Sequence, residues 1–100
     1  MGLRILLCAR AVGDVCRRWR VRRLALFGSV CREDFGPESD VDVLVEFEPD
    51  AVPTLFELED LRRELSGLLG GRRVDLVTPG ALHPLLRERI MAEAVDQYAA

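Results

Sequence analysis

Apolar residues recur at three- and four-residue steps through Ile5, Cys8, Val12, Val15 and Trp19, which predicts a helix over residues 4–19. The run RRLALFG, residues 22–28, predicts a strand that ends at Gly28. Residues 29–35 are short and polar, enough for one or two helical turns, and Gly36-Pro37 marks a turn. The valine-rich DVDVLVEF, residues 40–47, predicts a central strand. Pro53 and Thr54 then open a second long helix, with Thr54 and Glu57 at capping-box spacing. Leu55, Leu58, Leu61, Leu65 and Leu68 form its apolar stripe, and Gly70-Gly71 ends it. RVDLVT, residues 73–78, predicts a third strand, followed by a Pro79-Gly80 turn. A last helix is expected from Pro84 to about Gln97, with Leu85, Leu86, Ile90, Ala94 and Val95 facing inward.

The resulting order, α-β-(α)-β-α-β-α, predicts an α/β (α+β) fold with a small mixed three-stranded sheet flanked by helices. Residues 1–100 read as a single domain, without repeats, low-complexity segments or linkers. The short connection between the first two strands makes them candidate antiparallel neighbours.

Three acids interrupt this pattern. Side chains alternate across a strand, so Asp40 and Asp42 point to one face while Val41, Val43 and Val45 point to the other. The third strand repeats the oddity with Asp75 between Val74 and Leu76. If the second and third strands are neighbours, the three acids can converge. Two unit charges ~4 Å apart repel by about 4 kcal/mol at an effective dielectric near 20. Either some of the acids are protonated or a cation neutralises them. Oxygen-only ligands with open positions suit Mg²⁺ bridging to a phosphate, the layout of two-metal phosphoryl chemistry.

Gly28-Ser29 supplies the complementary requirement. A strand that ends in Gly-Ser and enters a short helix offers backbone N–H groups and a hydroxyl to an anion. Gly28 permits close approach, Ser29 can donate to a phosphate oxygen, and Arg32, one turn further on, can reach the same nucleotide anion or pair with a nearby acid. Ser29 also suits an ordinary helix N-cap. A lone Gly-Ser or a lone D-x-D is weak. The combination G-S-x₁₀-D-x-D, with an acid on a later strand, is much more specific.

With these residues, the chain resembles the minimal nucleotidyltransferases of the DNA-polymerase-β superfamily, the MNT proteins of prokaryotes. Gly28, Ser29, Asp40, Asp42 and Asp75 carry the resemblance, together with the flanking VRRLALFGS and SDVDVLVEF, over about residues 15–97. The resemblance implies a mixed-sheet nucleotidyltransferase fold in which Gly28 and Ser29 contact nucleotide phosphates. It implies that Asp40 and Asp42 ligate Mg²⁺, two ions in all, and that Asp75 is the third acid, acting as general base or metal ligand. The run Arg32-Glu33-Asp34 departs from the family's usual Arg-Gly-acid. MNT proteins are usually partners of HEPN-domain proteins in toxin–antitoxin pairs. Members with the full motif are implied to transfer AMP from ATP to a tyrosine of the HEPN toxin, silencing its RNase activity.

Size agrees with an acceptor presented from outside, because the catalytic layer and its helices consume all 100 residues. The acceptor is then expected on another protein or another copy of this one. Two other readings remain open: an antitoxin that acts by binding alone, and a small-molecule nucleotidyltransferase, although the latter carries an added acceptor domain.

The net charge of −3 argues against stable nucleic-acid binding. Cys8, Cys16 and Cys31 show no metal-ligand spacing and read as small apolar fillers in a reducing cytoplasm. No run approaches the ~20 apolar residues of a membrane span. No G-x-x-x-x-G-K-[ST] or G-x-G-x-x-G occurs, against P-loop and dinucleotide-binding folds. The basic run Arg17, Arg18, Arg20, Arg22 and Arg23 reads as a solvated helix end or, alternatively, an anion-steering patch. Glu33, Asp34 and Glu38 read as solvated loop acids, His83 as a surface or capping residue, Trp19 as core, and Tyr98 lies in a terminal tail.

Overall fold

A computed structural model of the chain describes residues 8–99 except 32–35 and 37–38, together with the backbone alone at 29 and 31. Ile5, Arg32, Glu33, Asp34, Pro37 and Glu38, all singled out in the sequence, lie outside the described residues, as do the side chains of Ser29 and Cys31. In chain order the elements are α1 (Ala9–Arg18), β1 (Val21–Phe27), a 3-10 turn (Gly28–Cys31), β2 (Val41–Phe47) and α2 (Leu55–Leu68). There follow β3 (Val74–Val77), a second 3-10 turn (Pro79–Ala81), α3 (Pro84–Glu93) and β4 (Val95–Ala99). Among the described residues no helix is long and apolar enough to cross a membrane.

The sheet is mixed, with strand order β3-β2-β1-β4. β1 and β2 are antiparallel, with Leu24 opposite Val45, Leu26 opposite Val43 and Phe27 opposite Asp42. β2 and β3 run parallel, with Asp42 opposite Asp75. The chain turns from α1 into β1 at Arg20, which holds a positive φ of 59°. The Glu48 N–H donates to the Arg20 carbonyl at 2.9 Å, and the Arg20 guanidinium meets Asp50 at 2.5 Å. Those two bonds tie down a backbone conformation that side chains other than glycine rarely adopt.

Alternation along the strands sorts apolar residues onto two faces. Val21, Leu24, Leu26, Val41, Val43, Val45 and Val74 face α1 and α2, where they pack with Val12, Val15, Cys16, Leu61 and Leu65. Burial pushes the Cys16 thiol up to about 11. Cys8, by contrast, is exposed, so the filler reading does not hold for it. Among the described residues, the opposite face carries only Ala25, Phe27 and Leu44 as buried residues, with Ile90, Met91 and Ala94 packed against them. Trp19 is half-buried against the larger core, and its indole N–H donates to Glu64.

The capping box of α2 is formed: the Thr54 hydroxyl accepts from the Glu57 N–H at 3.1 Å, and the Glu57 carboxylate accepts from the Thr54 N–H at 3.0 Å. Gly70 and Gly71 terminate the segment with φ of 72° and 85°. The expected leucine stripe is only partly inward. Leu61 and Leu65 are buried, but Leu55 is 83% exposed and Leu69 is buried instead. Phe56, in the first turn of α2, is likewise exposed, at 86%.

The sheet has four strands, not the three expected, because α3 stops at Glu93 and Val95–Ala99 form β4. β4 pairs antiparallel with β1 from Leu26↔Val95 to Arg23↔Ala99. The reason is hydrogen bonding. Without β4 the outer edge of β1 would leave backbone N–H and C=O groups unpaired beside the core. Tyr98, placed by the sequence in a tail, packs against the main core from this strand. The inward set expected for α3 is correspondingly wrong in part: Leu85 and Leu86 are exposed, and Val95 is on β4.

The basic run is neither bare nor an open anion patch. Arg17 pairs with Asp14 at 2.6 Å, Arg18 with Glu64 at 2.5 Å and Arg22 with Glu46 at 3.2 Å. Arg23 bridges Glu46 at 3.3 Å and Asp96 at 2.6 Å, joining β1 to β2 and β4. With Arg20 on Asp50, every member of the run faces an acid.

Candidate nucleotide site

The candidate site is built where β1 ends. Gly28 follows Phe27 with φ of 76°. A Cβ at Gly28 would overlap Asp42 Oδ2 and sit 3.2 Å from Asp42 Cγ. Both the left-handed backbone and the close approach to a carboxylate therefore require glycine at this position. Ser29 continues the 3-10 turn that Gly28 begins.

Asp42 stands opposite Phe27 on one side and opposite Asp75 on the other. Phe27, Asp42 and Asp75 thus form a row across three adjacent strands, and Gly28, just past the end of β1, lies against Asp42. Neighbouring strands are roughly 4.8 Å apart, so Asp42 and Asp75 are neighbouring positions across the ladder. Asp40 lies one residue before β2, on the same side by alternation. The pairing with the β3 side begins at once, since the Val41 N–H donates to the Arg73 carbonyl at 2.9 Å. Asp40 and Asp42 are half-buried and Asp75 is exposed.

Two cavities flank this row. One, of about 420 Å³, is lined by Phe27, Gly28, Asp42, Leu86, Arg89, Ile90 and Glu93. The other, of about 480 Å³, runs along the β3 edge and includes Leu55, Leu58, Asp75, Leu76, Val77 and Thr78. Asp42 opens into the first and Asp75 into the second, so the acids span the boundary between a polar cavity and a more apolar groove.

Among the described residues, no group of three His, Cys, Asp or Glu side chains is gathered tightly enough to hold a metal ion by itself. The donor chemistry still fits a hard divalent cation: carboxylate oxygens from neighbouring strands, no nitrogen or sulfur, and a cavity alongside with room for phosphate oxygens.

One feature of the site was not legible in the sequence. The Gly28 N–H, expected to be available to an anion, donates to Glu93 Oε1 at 3.2 Å. Glu93 and Arg89 reach the site from α3, an element the motif does not include. Charges four residues apart on a helix are common, so their spacing alone carried no signal.

The family model described as a nucleotidyltransferase domain matches residues 8–96. A Methanocaldococcus jannaschii protein, provisionally named as a protein adenylyltransferase, is 43% identical over 87 residues, covering 87% of this chain and 90% of its own. The protein adenylyltransferase MntA of Thermococcus cleftensis is 38% identical over 82 residues, covering 82% and 80% respectively. A solved structure, provisionally described as a minimal nucleotidyltransferase, superposes with a TM-score of 0.72 at 41% identity, covering 87% of this chain and 86% of that one. The fold also recurs, with a TM-score of 0.65 at 17% identity, in a complex of a tri-AMPylated Shewanella oneidensis HEPN toxin with its MNT antitoxin, covering 92% of this chain and 70% of that one. A glycine wedged against a strand acid, a second acid in register beside it and a family match over most of the chain lead to one assignment: this protein belongs to the nucleotidyltransferase domain family and is a nucleotidyltransferase.

Proposed function

We propose that this nucleotidyltransferase is a Mg²⁺-dependent protein adenylyltransferase that moves AMP from ATP to a tyrosine of a partner HEPN toxin, and so acts as the antitoxin of a cytoplasmic toxin–antitoxin pair. The observation that carries the reading is Gly28 packed against the Asp42 carboxylate, where only glycine fits, with Asp75 in register beside Asp42. The names of the relatives support adenylyl transfer to protein, and the AMPylated toxin in the fold neighbour supports the acceptor class.

In this reading Gly28 and Ser29 hold the phosphate tail, with Arg32 following them, and Asp40 and Asp42 hold the divalent ions. Asp75, beside Asp42, takes the proton of the tyrosine hydroxyl or completes the metal site. Bound Mg²⁺ would supply charge neutralisation at the phosphates and ease ionisation of the attacking hydroxyl. The chain's own contribution is positional. The sheet fixes Asp42 and Asp75 in register, and Gly28 lets the backbone lie against them without a side chain between.

The test is transfer of label from α-labelled ATP, with Mg²⁺, to the purified HEPN partner. Label on a partner tyrosine, absent with Asp42→Asn, is the expected result. Unlabelled partner after incubation with the wild-type chain overturns the proposal. If Asp42→Asn still neutralises the toxin in cells at equal expression, binding alone is sufficient for the antitoxin role.

A further inference from the structure

Most arginines of this protein are already engaged. Seven of them pair with carboxylates. Arg72 and Arg87 donate to the carbonyls of Gly36 and Pro79, each at 2.9 Å. Among the described residues, the guanidinium groups of Arg10, Arg73 and Arg89 have neither an ion pair nor a hydrogen bond. Of these three, Arg89 lines the cavity that contains Gly28 and Asp42.

That cavity has an unusual charge arrangement. Among the described residues, Asp42 and Glu93 place two acids on its walls, and Arg89 brings a cation. Glu93 lies one helical turn beyond Arg89, so both project from the same side of α3. Glu93 occupies the Gly28 N–H. A phosphate oxygen needs the same donor, and two anions cannot share it without strong repulsion. An arginine at this place balances a phosphate and can grip it with two parallel N–H bonds. The helix that carries both residues has no fully buried side chain, so it is held loosely enough to adjust.

We propose that Arg89 is a phosphate-binding residue of the nucleotide site, and that Glu93 holds the Gly28 N–H until the phosphate tail displaces it. This rests on the reading that Gly28 and Asp42 face a bound nucleoside triphosphate. The α3 helix is then the outer wall of the nucleotide site, bringing one group that attracts the ligand and one that competes with it.

Calorimetric titration of the full chain with AMP-PNP and Mg²⁺ tests this without requiring turnover. Arg89→Gln weakens binding about ten-fold, the equivalent of one charge-assisted hydrogen bond. Arg89→Lys recovers part of the loss, because the charge returns without the fork. Glu93→Gln keeps an acceptor for the Gly28 N–H but removes the competing charge, and binds more tightly than wild type. The ligand-free melting temperature of Arg89→Gln stays close to that of wild type, since the side chain is exposed. Equal affinity of Arg89→Gln and wild type overturns the assignment while leaving the nucleotide site standing. Weaker binding by Glu93→Gln overturns the competitor role. A wild-type chain that fails to bind AMP-PNP at millimolar concentration removes the nucleotide reading itself, and this inference with it.

Discussion

The two faces of the sheet are built from alternate residues of the same strands, yet they are different materials. Toward α1 and α2, Val41, Val43 and Val45 are almost fully buried in a continuous apolar core. Toward α3, the intervening positions of the same strand are Asp42, Leu44 and Glu46, and only Leu44 is buried. The first face supplies most of the hydrophobic stabilisation. The second face is thinly covered, which leaves room for acids, a cavity and a ligand. Stability and chemistry are thereby separated by a sheet one residue thick, and a change on one side need not disturb the other.

The largest expected effect tests that separation from the thin side. In the proposed function, Asp42→Asn lowers AMP transfer by about 10³-fold, the effect expected of removing a carboxylate that holds charge at a reacting centre. The melting temperature should move by only a few degrees, measured by calorimetry. A large loss of stability would show that the acid serves the fold. The opposite side predicts the reverse. Leu61 is fully buried, and Leu61→Ala costs about 3 kcal/mol from lost burial and a residual cavity. That lowers the melting temperature by roughly 15 °C in a chain of this size, while nucleotide affinity of the folded fraction is unchanged.

Gly28→Ala lies on the boundary and should affect both measurements. The methyl group meets the Asp42 carboxylate, and the left-handed φ adds about 1 kcal/mol of backbone strain. Reduced transfer together with a modestly lower melting temperature is expected. Loss of only one of the two would show which constraint dominates. The smallest effect is electrostatic. The hydrogen bond from Arg20 holds Asp50 below its usual 3.8, and that from Arg62 holds Glu59 below its usual 4.5. Both carboxylates bind protons less readily folded than unfolded. Their contribution is present above those ordinary values and is lost as pH falls through the lowered folded values. Both are exposed pairs, so acid titration of stability should show a shallow decline that salt suppresses.

The placement of the acids on one face was readable in the sequence. The alternation of valine and aspartate fixes which side chains share a face, whatever the strand pairs with. The short connection between the first two strands favoured their antiparallel pairing, and the capping box at Thr54 and the paired glycines after α2 appear as read. The C-terminal region was not readable in the same way. Leu85, Leu86, Ile90, Ala94 and Val95 fit a continuous helical stripe, but periodicity cannot report an unpaired strand edge elsewhere in the molecule. The demand of β1 for a partner ended α3 at Glu93 and made β4.

Local order was thus determined by the sequence alone: which residues are apolar, where the chain must turn, and which side of a strand carries acid. Neighbourhood was decided only by the tertiary structure. It set Asp75 beside Asp42 in register, brought α3 over Gly28, and aimed Glu93 and Arg89 at a cavity they are far from in sequence. The physical reason is that alternation and capping are short-range sterics and hydrogen bonds. Pairing of distant segments depends instead on satisfying every backbone group and burying apolar area across the whole chain at once.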